Sequence, residues 1–293
     1  MMTFQRDSAA SAVTPAALQL ATVGREDPRY PGRLLALRDA PAQLSCRGQL
    51  PDPAAPALAV VGSRAASGKG FRLARDWTAA LAGAGRIIIS GGAFGIDAAA
   101  HLGALDAGRP TVAVLGCGAD VVYPDRHRQL FERVAATGAL LSELPPGTPP
   151  RTWHFPRRNR IVAALADALL VVEAGARSGA LGTATLARAL GRPVLAVPGS
   201  PGADALIAGG AQSVGSLDDV QAVLAGRPRA AAVVPERHAA LITALQAGAL
   251  TPGMLGQRLG LTVAQVMGLL TEAELDGRVR RAGGSHYEVL RGH

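Results

Sequence analysis

The sequence has 293 residues and is 48% hydrophobic, which excludes a disordered chain and suits about two domains. Thirty basic against 22 acidic residues leave a formal charge of +8, which favours polyanionic partners. Two isolated cysteines, Cys46 and Cys117, exclude a disulfide framework, and the most apolar stretch, 161–174, is cut by Asp167 and Glu173, so it does not span a membrane.

Residues 1–22 are rich in Ala, Ser and Thr without a clear period and read as a flexible tail with no apolar signal core. Residues 23–56 carry Tyr30-Pro31, Pro41, Pro51, Pro53 and Pro56 and are expected to form an irregular entry segment. From residue 57 short apolar runs recur, at 58–61, 87–89, 111–115, 140–141, 169–172 and 194–197. Helical stretches at 71–81, 97–105, 129–136, 161–166 and 181–190 alternate with them. Continuous apolar runs between helices indicate βαβ units, so residues 57–225 are expected to form an α/β domain, a Rossmann-like, doubly wound, mostly parallel sheet. Residues 226–235 read as a linker. Helical patterns over 236–247, from Pro252, and over 262–275, then alternation around Gly283-Gly284, predict a small winged-helix domain over 236–293.

In a doubly wound sheet, ligands bind beyond the carboxyl ends of the strands. Those ends here are Gly62-Ser63-Arg64, Ser90-Gly91-Gly92-Ala93-Phe94-Gly95, Gly116-Cys117-Gly118, the stretch Arg177-Ser178-Gly179 to Thr183, and Pro198-Gly199-Ser200. Glycine permits close backbone approach and helix N-termini offer free N–H groups, so the edge reads as a phosphate-binding rim. The run from Gly62 to Gly70 is not a P-loop, since it is one residue too long and Gly70 stands where Ser or Thr should hold magnesium. Gly116-Cys117-Gly118 lacks the third glycine of a dinucleotide fingerprint. No cofactor or metal is expected.

A basic cluster, Arg157-Arg158-Asn159-Arg160, follows Trp153-His154-Phe155-Pro156, with no acidic residue between Glu143 and Asp167. Pro156 suits a helix start, and cations are disfavoured at that end of a helix dipole, so the crowded arginines point to a missing anion. Aromatics beside arginines suit single strands, where bases stack and phosphates pair. Asp97 and His101 share a helix face and read as a helix-start acid and a packed histidine. No nucleophile–base pair is evident.

These residues carry a resemblance. Gly62-Ser63-Arg64, then Ser90-Gly91 through Gly95-Ile96-Asp97 to His101, Tyr123-Pro124, Ser142-Glu143 and Phe155-Pro156 with Arg158-Asn159-Arg160 resemble the DNA processing protein A (DprA/Smf) family over roughly residues 30–222. Ser178-Gly179, Thr183-Ala184 and Pro198-Gly199 continue the match. The resemblance implies a cytoplasmic homodimer, not an enzyme, that binds single-stranded DNA and loads the RecA recombinase during natural transformation and DNA recombination. On that basis the expected DNA-binding residues are Gly62, Ser63, Arg64, Gly91, Gly92, Phe94, Gly95, Phe155, Arg157, Arg158, Asn159, Arg160, Ser178, Gly179 and Thr183. Phe94 departs from a position often basic in the family, Ala203-Asp204 replaces a usual Thr-Asn, and the N-terminal helical domain of many members is reduced to residues 1–50.

Two other functions compete. A nucleotide phosphoribohydrolase of the lysine-decarboxylase-like group needs carboxylates after a Gly-rich run, yet Thr183 is followed by Ala184-Thr185-Leu186-Ala187. A duplex-binding winged-helix regulator needs a basic recognition helix, and the third helix carries Glu272 and Glu274 with no basic residue before Arg278.

Overall fold

The structure is a computed structural model. It describes residues 19–226, 236–246, 248–275 and 278–290. The expected tail lies outside the described residues except for 19–22, and the expected linker except for 226. The chain divides into two compact units, 1–213 and 214–293.

The first unit is one nine-stranded sheet whose strands, in spatial order, begin at residues 20, 43, 139, 111, 87, 57, 168, 194 and 212. Its parallel part starts with β3 (Ala57–Val61), α1 (Gly68–Gly83), β4 (Ile87–Ser90), α2 (Ile96–Asp106), β5 (Thr111–Val114), α3 (Arg128–Thr137) and β6 (Ala139–Ser142). The chain then crosses through α4 (His154–Leu165) to the opposite side of β3, adding β7 (Ala168–Val171), α5 (Gly179–Ala189), β8 (Val194–Ala196), α6 (Pro201–Ala208) and β9 (Gln212–Ser213). Every residue of β3, β5, β6, β7 and β8 is buried, because helices cover both faces of a parallel sheet. Small residues fill this core. Ala57, Ala59, Ala163, Ala164, Ala184 and Ala187 pack beside Ile161, Leu169 and Val171.

The entry segment departs from expectation. It contains β1 (Leu20–Gly24) and β2 (Gln43–Gly48), an antiparallel pair that joins the sheet through β2 against β6. The prolines flank β2 and do not interrupt it, so no ladder hydrogen bond is lost. Val23, Leu34 and Leu44 join the main core, and the buried Tyr30 hydroxyl donates to the Pro41 carbonyl at 2.7 Å.

The second unit holds α7 (Leu217–Leu224), α8 (Glu236–Leu245), α9 (Pro252–Leu259), α10 (Val263–Leu275) and a hairpin of β10 (Val279–Gly283) with β11 (His286–Val289). Leu241, Leu245, Leu255, Val266, Leu270, Val279 and Tyr287 form its core. Three short helices followed by a hairpin make the expected winged helix.

Candidate nucleic-acid interface

The strand order reverses between β3 and β7, and a crevice opens beyond their carboxyl ends, as in other doubly wound sheets. It holds a cavity of about 600 Å³. The turn after β3 supplies Gly62, Ser63 and Arg64, the turn after β4 supplies Gly91, and α4 supplies Phe155, Arg158 and Asn159. The start of α5 adds Ser178, Gly179 and Thr183. Ten of the fifteen expected residues thus meet at one cavity.

Backbone bonds fix its walls. The Ser63 N–H donates to the Glu173 carbonyl at 2.7 Å, and the Ile96 N–H donates to the Ser63 carbonyl at 3.1 Å. The latter approach requires Gly95, which has φ +72°, and a Cβ there would lie 2.1 Å from the Ser63 carbonyl oxygen. Gly95 therefore shapes the turn and does not line the cavity.

Two of the nearby loops already satisfy their own N–H groups with carboxylates. The Glu173 carboxylate accepts from the Ser67 N–H at 3.0 Å and from the Ser67 hydroxyl at 2.7 Å, at the start of α1. Asp97 accepts from the Ala93 N–H at 3.2 Å, just before α2. At α5 the cap is the Ser178 hydroxyl, which takes the Ala180 N–H at 3.3 Å, and no carboxylate is involved. The exposed guanidiniums of Arg64 and Arg177 border the cavity that this helix end faces, so its charge favours an anion there.

The basic cluster is distributed differently from the sequence expectation. Helix α4 starts at His154, two residues before Pro156. Arg158 is buried, and its Nη1 donates to the Gly91 carbonyl at 2.6 Å and to the Val114 carbonyl. Burial pulls its guanidinium below the usual arginine range and pushes the neighbouring Asp97 carboxyl above the usual carboxylate range. The positive charge of Arg158 works against the Asp97 shift. Arg160 does not reach the crevice. Its Nε lies 2.7 Å from Asp39 and its Nη2 2.7 Å from Glu143. Arg157 pairs with the same Glu143 at 3.3 Å, bordering a separate hollow. The like charges at this helix start are thus partly offset by Glu143, Asp39 and two backbone carbonyls, while the buried Arg160 Nη1 has no hydrogen-bond partner.

Gly92 and Phe94 border a smaller hollow beside the cavity, together with Tyr123, Pro124 and Phe155. Arg177, Asp97 and Tyr123 line the two openings although none was among the expected binding residues. The Arg177-Ser178-Gly179 spacing carried the signal for the first, and the Tyr123-Pro124 pair carried it for the last. Among the described residues, no group of three His, Cys, Asp or Glu side chains is placed to hold a metal, and no helix is long and apolar enough to cross a membrane.

Comparison with known proteins fits this geometry. The sequence model of DNA recombination-mediator protein A matches residues 21–225, and that of the DprA winged-helix domain matches residues 225–285. A Mycobacterium tuberculosis relative bearing the DprA name is 45% identical over 258 residues, 82% of this chain and 66% of the relative. The chain therefore spans just under two thirds of that relative's length. Among solved structures, DNA processing protein A from Streptococcus pneumoniae is 39% identical, with a TM-score of 0.65 over 71% of this chain and 75% of that one. The Helicobacter pylori protein, described for its single-stranded DNA binding mode, is 27% identical, with a TM-score of 0.64 over 72% of this chain and 98% of that one. The chain belongs to the DNA recombination-mediator protein A family, DprA/Smf.

Proposed function

We propose that the protein binds single-stranded DNA in the switch-point crevice with little sequence preference, and loads the RecA recombinase onto it in natural transformation and DNA recombination. In this reading it acts as a cytoplasmic homodimer without catalytic turnover. The observation that carries the reading is the cavity of about 600 Å³, where the exposed Arg64 and Arg177 and the Ser178-capped start of α5 line one opening. Guanidinium and backbone N–H donors read phosphates and carry no base information. A strand supplies that repeating anion and, unlike a duplex, has bases free to turn away. The family's description as a recombination mediator and the Helicobacter pylori relative's single-strand binding support the same reading.

The test is competition between a labelled oligonucleotide and unlabelled single strand or duplex of equal length, across a salt series. Single strand should compete at lower concentration, with affinity falling by about 0.7 log units per log unit of salt for each phosphate neutralised. Equal or better competition by duplex would overturn the reading.

A further inference from the structure

Asp97 sits in the first turn of α2, is 7% exposed and lines the large cavity beside Gly91. A Cβ on Gly91 would lie 2.5 Å from Arg158 Nη2 and 2.7 Å from Asp97 Oδ2, so the glycine is the spacer that lets both groups reach one wall. Arg158 directs its Nη1 to the Gly91 and Val114 carbonyls, and Asp97 accepts from the Ala93 N–H at 3.2 Å.

Asp97 also hydrogen-bonds the Ser90 hydroxyl. Ser90 is fully buried on β4, and its Oγ lies 2.6 Å from the Val60 carbonyl. A carbonyl has no proton to give, so the single hydroxyl proton of Ser90 lies in that contact. The proton between Ser90 and Asp97 must then come from Asp97. Burial favours the same form, because a desolvated carboxyl holds its proton more tightly. Arg158 on α4, Arg64 after β3 and the positive end of α2 favour the ionised form instead. Further out, His127 acts on His101, one turn along α2, and Cys117 acts on Arg158. The hydrogen bonds decide between these opposed effects, since an ionised Asp97 would face the Ser90 oxygen with no proton between them.

Phosphate chemistry gives such an acid a use. A phosphodiester carries a negative charge and no proton, so it repels a carboxylate and cannot donate to it. A neutral acid in the wall removes that repulsion and leaves the neighbouring guanidiniums uncompensated.

We propose that Asp97 is a neutral carboxylic acid that donates to Ser90, and that its neutrality fits the wall it shares with Arg64 and Arg158 to a strand phosphate. This rests on the single-strand reading above and adds a residue that sets the charge of that site.

The experiment uses the full chain, its Asp97→Asn variant and a labelled thymidine strand, at steps from pH 6 to pH 9. Asparagine copies the hydrogen bonds of the neutral acid, with its amide N–H toward Ser90 and its oxygen toward Ala93, and does not titrate. Infrared spectra of the free wild type at pH 6 should show the carbonyl band of a protonated carboxyl, shifted in deuterium oxide and absent from the variant. The wild-type strand affinity, taken as a ratio to that of the variant at each pH, should hold while the band persists and fall about tenfold or more as it disappears. The wild-type band and wild-type affinity can be compared directly, so a variant that fails to fold leaves the proposal testable. No band in the wild type, or the same band in both proteins, would overturn the proposal and leave the strand reading intact. A ratio that stays level while the band disappears, or falls while it persists, would overturn it as well. If the wild type binds no strand, the single-strand reading falls and the role of Asp97 falls with it.

Discussion

The Arg64 guanidinium lies 5.6 Å from the centroid of the Phe155 ring, so the cation rests on an aromatic face that lines the same cavity. This contact keeps an exposed side chain at the cavity wall and contributes little to the core. Arg64→Ala should weaken single-strand binding by about 1.5–3 kcal/mol, the range for a hydrogen bond to a charged group, and leave thermal unfolding within a degree or two. Fluorescence anisotropy across a salt series checks both parts, since the slope should also fall by about 0.7. Unchanged affinity would make Arg64 a wall residue only.

Arg160 should behave in the opposite way. Its side chain is 9% exposed, that of Glu143 is 8% exposed, and they pair at 2.7 Å. Arg160→Ala leaves a buried carboxylate with only Arg157 beside it, at a cost of about 3 kcal/mol. Calorimetry should show unfolding several degrees earlier without DNA, while the salt slope of binding stays unchanged. A variant as stable as the wild type, with a shallower slope, would place Arg160 among the DNA contacts after all.

His101 should make the fold acid-sensitive. It is fully buried, with Nδ1 2.8 Å from the Thr111 hydroxyl, which itself donates to the Ile88 carbonyl at 2.7 Å. The single hydroxyl proton is committed to Ile88, so Nδ1 carries the ring proton and Nε2 holds a lone pair without a partner. Burial, then the nearby charges of His127 and Arg158, push its pKa down from 6.5 to about 3. Between those values the unfolded chain binds a proton that the fold rejects. The stabilisation is complete above pH 6.5 and is lost as pH falls, by up to about 1.4 kcal/mol per unit. Asp97, shifted upward, works in the opposite sense. Urea unfolding of wild type and His101→Gln at pH 7, 6, 5 and 4 isolates the histidine, and the variant should show the flatter profile. Parallel profiles would contradict this assignment.

The winged helix should contribute little to strand affinity. Arg280 is paired with Glu288 at 2.7 Å, Arg281 lies over the Tyr287 ring at 5.4 Å, and α10 carries no basic residue. A chain ending at residue 226 should bind single strands within about tenfold of the full chain, or 1.4 kcal/mol. A larger loss, measured by the same anisotropy titration, would make the domain a principal DNA contact.

The parallel sheet was legible because buried strands such as Ala57–Val61 and Ala168–Val171 leave unbroken apolar runs in the sequence. The turns at the carboxyl edge were legible because glycines mark them. Strands β1 and β2 were not, since Gln43–Gly48 mixes polar and apolar residues among prolines and is held in place by pairing with β6, a contact remote in sequence. The arginines illustrate the same limit. Adjacent letters in Arg157-Arg158-Asn159-Arg160 point around a helix to different neighbours, and Asp39, 121 residues away, decides the fate of Arg160. Composition shows a cluster, and only the fold shows which of its members are already satisfied.

Glu173 has one more consequence. The first βα turn of such sheets is where many relatives of the architecture seat a free nucleotide's phosphates. Here a side chain anchored at the end of β7 occupies that berth by binding Ser67, and a Cβ on Gly70 would meet its Oε2 at 2.3 Å. A tethered carboxylate acts at an effective concentration in the millimolar range or above. The Ser67 N–H at the start of α1 is therefore answered by a side chain of the fold itself, and what the turn leaves open to solvent is the earlier stretch Gly62, Ser63 and Arg64.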